Sequence, residues 1–220
     1  MKLYLLVIVL ILSLGASTAF SQSRSNSTDK KHKAKVGLKA GYNFAKVIGS
    51  TPDFTPQNNN GYMISGFFSP SVKNGFGYRT ELVYSRQGFS FDESGKMQNI
   101  AQQYLYMPQL TTFTIANIVQ LQAGGQIGYL LHAKNTTPPS NSSQQTQVTD
   151  YMNRLDYGVA GGFELYPVGG LIIGGRYNVS LGNIYKQNAG TSLYPSPFPF
   201  DPSQVKGKNA VVQFFIGYRF

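Results

Sequence analysis

Residues 119–131 read Val-Gln-Leu-Gln-Ala-Gly-Gly-Gln-Ile-Gly-Tyr-Leu-Leu. Val119, Leu121, Ala123, Gly125, Ile127, Tyr129 and Leu131 share one parity; Gln120, Gln122, Gly124, Gln126 and Gly128 share the other. A period of two places successive side chains on opposite faces of a strand, so this stretch reads as a ribbon with one greasy and one polar side. The pattern recurs. Val36, Leu38, Ala40, Tyr42 and Phe44 alternate with Gly37, Lys39, Gly41 and Asn43, and Phe76, Tyr78, Thr80, Leu82 and Tyr84 with Gly77, Arg79, Glu81 and Val83. Leu155, Tyr157, Val159, Phe163 and Leu165 oppose Asp156, Gly158, Gly162 and Glu164. Leu171, Ile173, Tyr177, Val179 and Leu181 oppose Gly174, Arg176, Asn178 and Ser180, and Val212, Phe214, Ile216, Tyr218 and Phe220 oppose Gln213, Gly217 and Arg219.

These six segments run roughly ten residues or more, beyond the ~5–6 of soluble strands and close to the ~9–11 with which a tilted strand crosses a bilayer. Two further segments, 62–70 and 104–115, are rich in β-formers but lack a clean polar face. Pro108 interrupts the second, where a missing N–H predicts a bulge or local break. Eight strands result.

The charges decide which solvent each face meets. In the six regular strands the apolar parity carries none, whereas the other carries Lys39, Arg79, Glu81, Asp156, Glu164, Arg176 and Arg219. Lys or Arg facing lipid at the bilayer midplane costs about 2–4 kcal/mol, so the charged parity is expected to face inward as a lumen charge network. Eight strands enclose an interior that side chains fill. The expectation is an all-β, eight-stranded antiparallel up-and-down transmembrane barrel with a narrow, side-chain-filled polar lumen. Closure requires the strand at Val36 to pair with the one ending at Phe220, because no backbone group can stay unpaired in hydrocarbon. Tyr42, Tyr84, Tyr129, Tyr157 and Tyr177 are candidates for the interfacial girdle.

The connections follow the same logic. Those near 72–75, 116–118 and 167–170 read as short; those at 45–60, 92–103, 133–152 and 183–208 read as long. Short and long turns alternate in membrane barrels, with short turns periplasmic, which puts both termini in the periplasm.

Composition agrees. The 220 residues hold 15 Tyr, 15 Phe and 24 Gly, no Cys and no Trp, and 13% charged residues, about half the usual share. Without cysteine there is no disulfide framework, thiolate metal site or cysteine nucleophile. Lys2, the aliphatic run 3–14 and the small residues 15–21 read as a secretory signal peptide over residues 1–21. Cleavage before Gln22 uses Ala19 and Ser21; cleavage before Phe20 uses Ser17 and Ala19. Residues 22–35 form a Ser/Asn-rich basic segment of net charge +4, read as a flexible periplasmic spacer, and the barrel domain occupies 36–220. Neither a basic helix nor an aromatic–basic repeat supports nucleic-acid binding.

Lys-Val-Gly-Leu-Lys-Ala-Gly-Tyr-Asn-Phe from Lys35, Thr-Glu-Leu-Val-Tyr-Ser-Arg-Gln-Gly from Thr80 and Leu-Tyr-Met-Pro-Gln-Leu from Leu105 resemble the PorT-type family of outer-membrane β-barrel proteins. So do Gly-Gly-Gln-Ile-Gly-Tyr-Leu-Leu from Gly124, Gly-Gly-Arg-Tyr-Asn-Val-Ser-Leu-Gly-Asn-Ile from Gly174 and the Phe-Phe-Ile-Gly-Tyr-Arg-Phe ending. The resemblance spans nearly the whole mature chain and makes Pro108 an expected feature of the fourth strand. It implies an integral outer-membrane protein of a Gram-negative envelope. A structural, binding or secretion-related role there, and no enzymatic one, is the expectation from the residues. The resemblance also implies that Phe214, Ile216, Tyr218 and Phe220 form the signal read by the barrel-insertion machinery. Outer-membrane lipid and lipopolysaccharide are the expected surroundings, with an envelope protein as a further partner.

No cofactor or metal is expected: only two histidines exist, not at ligand spacing. One alternative is a membrane-embedded hydrolase using His132 with Asp150 or with Ser140, Ser142 or Ser143. Another is a soluble barrel that binds an apolar ligand. The stretch 194–202, with four prolines, places Tyr194, Phe198 and Phe200 in an external connection. Proline stiffens it, and its aromatics either meet a partner or fold back over the barrel mouth.

Overall fold

The computed structural model describes residues 34–49, 56–70, 75–93, 95–137, 146–186, 198 and 201–220. The expected leader and almost all of the basic segment after it lie outside these residues. The strands are β1 (Lys35–Ile48), β2 (Gln57–Ser69), β3 (Phe76–Glu93), β4 (Lys96–Ile115), β5 (Val119–Asn135), the two-residue β6 (Thr146–Gln147), β7 (Leu155–Leu165), β8 (Leu171–Ser180) and β9 (Lys208–Arg219). All pairings are antiparallel. Setting aside β6, which pairs with the end of β5, eight strands form a closed ring in the order β1-β2-β3-β4-β5-β7-β8-β9. The ring shuts where Gly37 to Ile48 of β1 meet Arg219 to Lys208 of β9. Phe220 N donates to Val36 O at 2.9 Å, extending this seam by one more bond.

Lys35, where β1 begins, and Phe220 share one end of the ring, called here the terminal end, with the connections 70–75, 116–118 and 166–170. At 116–118, Ala116 and Asn117 both take positive φ (50° and 58°), and Ile118 N donates to Ile115 O at 3.1 Å. Two left-handed residues at the start of this three-residue connection, which joins the pair Ile115↔Val119, match the right-handed twist of the flanking strands. The other end, called here the long-loop end, carries 49–56, 136–154 and 181–207.

One expected long connection is not a loop. Residues 92–103 are mostly strand: β3 and β4 stay paired from Phe89↔Ile100 to Glu93↔Lys96 and turn within two residues. The segment carries polar residues on both faces because its outer side stands beyond the apolar band, so period-two hydrophobicity vanishes where the strand continues. Pro108 behaves as a local break. Its β5 side pairs with Gln126, while the β3–β4 ladder is interrupted between Thr80↔Gln109 and Val83↔Tyr106 with no change of register. The register shifts lie elsewhere, in β2 between Asn58 and Met63 and in β5 at Leu131, each adding one residue. At the β2 shift the Asn43 amide donates to Tyr62 O (3.1 Å) and Arg86 O (2.8 Å), pairing carbonyls beside the disturbed ladder.

Inward-facing glycines make room for the large side chains opposite them. A Cβ at Gly217 would come within 2.6 Å of Lys39 Cγ, and one at Gly174 within 2.6 Å of the Phe215 ring and 2.7 Å of the Phe163 carbonyl. At outward-facing Gly125 the nearest atom is 3.9 Å away. Gly174→Ala is therefore expected to destabilise the barrel by about 1–3 kcal/mol, the cost of overpacking. Gly125→Ala is expected to change stability by less than about 0.5 kcal/mol. Urea unfolding of both variants in detergent micelles measures the contrast, and equal effects would contradict it.

Candidate functional site

The lumen is built in three tiers. Nearest the terminal end, alternation turns Lys39 of β1, Arg79 and Glu81 of β3, Glu164 of β7 and Arg176 of β8 inward, where they meet as one cage. Lys39 Nζ lies 2.5 Å from Glu81 Oε1 and 3.1 Å from Glu164 Oε1. Arg79 donates to Glu164 Oε2 at 2.6 Å, and Arg176 grips Glu81 with two bonds of 2.9 Å. These five side chains are between 0 and 2% exposed. Neutral groups extend the shell: Arg79 also donates to Ser69 Oγ, Gln120 Oε1 and the Tyr166 hydroxyl, and Arg176 to Gln122 Oε1, while Arg176 Nε has no partner among the described residues. Tyr166 in turn donates to Glu164 Oε2 at 2.6 Å.

Three cations thus share two carboxylates. The surplus positive charge rests against aromatic faces. Phe67 lies 4.2 Å from the Arg79 guanidinium carbon, and Phe215 lies 4.6 Å from Lys39 Nζ. A ring quadrupole attracts a desolvated cation by about 2 kcal/mol. These inward phenylalanines also explain why 62–70 shows no polar face: Met63 and Phe67 line the lumen, with Ser65 between them.

The middle tier is uncharged apart from Asp156. Its Oδ2 accepts from the Tyr106 hydroxyl (2.7 Å) and from Ser180 Oγ (2.6 Å), and Gln87 Nε2 donates to the Tyr106 oxygen at 3.1 Å. Asn43 ties this tier along the wall from β3 to β9, donating to Ser85 Oγ and accepting from Gln213 Nε2. A polar cavity of about 10 Å³ remains beside Gln87, Tyr106, Arg176 and Ser180. One water needs about that much space.

The third tier, at the long-loop end, is apolar, which corrects the expectation of a polar lumen throughout. Phe89, Phe91, Ile100, Leu130 and Ala133 point inward from the extended strands. Val148 and Met152 enter from the connection 136–154, and Ile184, Tyr185, Phe198 and Val205 from 181–207. Phe198 packs edge-on against Tyr185 (5.5 Å between ring centroids) and Tyr151 (5.7 Å). Burial holds the Tyr185 phenol well above the ordinary tyrosine range. The bore is closed at both levels.

Several expected site residues are placed differently. Asp156 belongs to the Tyr106–Ser180 cluster and not to the cage, because it begins β7 while Glu164 stands near its end. Arg219, the last residue of β9, is half-buried over the Tyr166 ring at 4.2 Å, at the rim below the cage. Phe198 is an inward plug residue and not an external contact, since an apolar chamber is available to it. Tyr194 and Phe200 lie outside the described residues. His132 faces outward beside Gln103, and Asp150 instead pairs with Arg154 at 3.4 Å, so the hydrolase pairing with Asp150 is not formed. Ser140, Ser142 and Ser143 lie outside the described residues. Alternation identified the cage charges; Tyr106 and Tyr166 were missed because a tyrosine on an irregular strand or in a turn carries no parity signal.

The outer wall is hydrocarbon-facing. Leu38, Ile216 and Leu155 are 60–65% exposed, and similar side chains surround the ring. A soluble ligand-binding barrel has this arrangement inside out, and an apolar surface of this extent is not compatible with water. Tyr42, Tyr62, Tyr84, Tyr129, Tyr157 and Tyr177 stand outward toward the long-loop edge of the band. Phe214, Ile216, Tyr218 and Phe220 also face outward.

Charge counting within the cage gives a directional expectation. Glu81→Gln raises its net charge from +1 to +2 and strands the Arg176 fork, which is expected to cost about 3–5 kcal/mol of stability. Lys39→Met lowers the net charge to zero and fills the same space, and is expected to cost less than about 2 kcal/mol. Denaturant unfolding in micelles checks the order; a larger loss for Lys39→Met would refute the charge argument.

Comparison with known proteins agrees with this geometry. No curated protein matches the sequence significantly. Among solved structures, Neisserial surface protein A is similar at a TM-score of 0.50 and 15% identity, over 84% of this chain and 97% of that one. Ail, the attachment invasion locus protein of Yersinia pestis, gives 0.48 and 17%, over 86% and 99%. OprG from Pseudomonas aeruginosa gives 0.42 and 10%, over 86% and 97%. At these identities the Neisserial likeness speaks to the fold alone. The family model described as outer membrane protein beta-barrel domain matches residues 20–186, about three quarters of the chain. A greasy outer wall, a closed ring and this family match lead to one conclusion: the chain belongs to the outer membrane beta-barrel domain family and is an integral barrel of the outer membrane.

Proposed function

We propose that the protein works as a sealed, non-catalytic PorT-type barrel, held in the outer membrane to present its long-loop end to the cell exterior. The observation that carries this reading is the blocked bore. The ionic cage fills one level and the aromatic plug another, so a solute path would require both to break. Work is then left to surfaces. The short connections 70–75, 116–118 and 166–170 lie at the terminal end, and membrane barrels keep their short turns periplasmic. After export by its amino-terminal leader, the chain is recognised by the insertion machinery through Phe214, Ile216, Tyr218 and Phe220. Lipopolysaccharide and membrane lipid then surround its wall. An envelope protein partner meets the long-loop end, where Tyr194 and Phe200 are the aromatic candidates.

The absence of cysteine makes orientation directly measurable. Gln147→Cys, exposed at the long-loop end, is expected to react with a membrane-impermeant maleimide in intact cells. Val168→Cys, 68% exposed in the opposite turn for the native valine, is expected to react only after the outer membrane is permeabilised. The reverse pattern would overturn the orientation. Planar-bilayer recordings of the purified protein are expected to show no unitary conductance steps, and regular steps would overturn the sealed barrel.

A further inference from the structure

We propose that the seam between β9 and β1 carries a binding site for phosphorylated lipid headgroups, formed by Lys46, Lys206 and Lys208. The inference rests on the outer-membrane orientation proposed above and assigns a ligand to one part of the wall. On β1 the outward positions run Val36, Leu38, Ala40, Tyr42 and Phe44 before reaching Lys46. On β9 they run back from Phe220 through Tyr218, Ile216, Phe214 and Val212; Ala210, next in parity, is buried, and Lys208 after it is exposed. Both strands thus place a cation toward the long-loop edge of the band, Lys46 one outward step beyond Phe44 and Lys208 opposite the outward Ile48. Lipid phosphates lie at that depth.

The register gathers the charges. Lys46 pairs with Ala210 and Lys208 with Ile48, so the two lysines occupy diagonal positions on neighbouring strands, about 7–8 Å apart. Lys206 joins them because the chain keeps alternating before β9: Val205 and Gly207 are buried, while Lys206 and Lys208 are exposed. That segment is anchored, since Ile184 N donates to Gly207 O at 2.8 Å. The Lys206 carbonyl also packs against Gly49, where any Cβ would collide with it and where φ is +109°. No described carboxylate forms an ion pair with any of the three lysines. Three like charges on one patch repel one another unless counter-charge arrives. A phosphate supplies it, with oxygens that accept from several ammonium groups at once.

The test uses the full mature chain in phosphatidylcholine nanodiscs doped with bisphosphorylated lipid A, with bound lipid counted by native mass spectrometry. The wild type is expected to retain lipid A in preference to its dephosphorylated form. The seam variant K46Q/K206Q/K208Q is expected to retain about tenfold less or lower, given the attraction of each lysine to an anionic surface. K96Q/K134Q/K186Q, with the same charge change away from the seam, is expected to stay within about twofold of wild type, and the single variant K208E to weaken retention as the triple does. Equal losses in the two triples, no loss in the seam triple and K208E, or no preference for phosphorylated lipid would each overturn the site. Displacement of lipid A by millimolar inorganic phosphate would overturn its assignment to lipid. Failure of the wild type to enter nanodiscs would bring down the outer-membrane reading and the site with it. Normal insertion with unselective binding overturns the site alone.

Discussion

Hydrocarbon offers no hydrogen-bond partner, and the structure is organised around that one constraint. A flat sheet in lipid would leave two rows of N–H and C=O groups unpaired, each costing several kcal/mol. The β1–β9 ladder removes both rows at once. Closure then dictates the rest. With the ring shut, every side chain must face either the bilayer or the bore, and pleating makes the choice alternate residue by residue. Eight strands leave a bore too narrow for bulk water, so each polar group turned inward must find its partner among the other inward groups. The cage, the Asp156 cluster and the aromatic plug are three answers to that requirement at three depths.

How much of this was readable in the linear chain depended on the contrast between the two solvents. Where a strand runs between lipid and a polar bore, as in 119–131 or 155–165, alternation showed its existence, its facing and its inward charges. The signal failed wherever the two sides were chemically alike. Residues 92–103 lie beyond the lipid, so their outer face is polar and the strand looked like a loop. Met63 and Phe67 put apolar groups inside as well as outside, and the Arg79 guanidinium and the Lys39 ammonium rest on the Phe67 ring. The membership of the cage was harder still. Asp156 and Arg219 have the parity of Glu164 and Arg176, and what separates them is height along the axis, which parity does not encode. The inward turn of Phe198 depends on a chamber formed by residues from four other elements, and nothing local to 194–202 describes that chamber.

The order of the tiers also follows from their neighbours. Near the terminal end the strands are joined by short connections, and no loop is long enough to fold back into the bore. That end is filled by long side chains from the strands themselves, and Arg, Lys and Glu reach the axis while glycines opposite them leave the space. At the other end two long connections, 136–154 and 181–207, bring backbone with them. They can seal the opening with Met152, Ile184, Tyr185 and Phe198, and burying side chains of this size contributes about 1.5–3 kcal/mol each. The plug therefore couples the position of the loops to the stability of the barrel. A partner that pulled on those loops would have to work against this apolar burial.

The cage contributes less to net stability than its short distances suggest. Desolvating three cations and two carboxylates consumes most of their mutual attraction, and well-packed apolar replacements of buried ion pairs are often equally stable. Its larger consequence concerns alternatives to the native register. A slip by one residue in β1, β3 or β8 would turn Lys39, Arg79 or Arg176 out to the lipid, at about 2–4 kcal/mol for each cation near the midplane. A slip in β1 or β8 would also take one cation from the buried Glu81, and a slip in β3 would carry Glu81 out with Arg79 and leave Glu164 without its shortest ion pair; removing one partner of a buried pair costs about 3–5 kcal/mol. An all-apolar lumen would impose neither penalty, since leucine is tolerated on both sides of such a wall. The ions thus set a gap of several kcal/mol between one register and its neighbours while adding little to the depth of the native state. In a sheet whose first and last strands must find each other across the whole chain, that gap is what makes closure at Val36 and Phe220 unique.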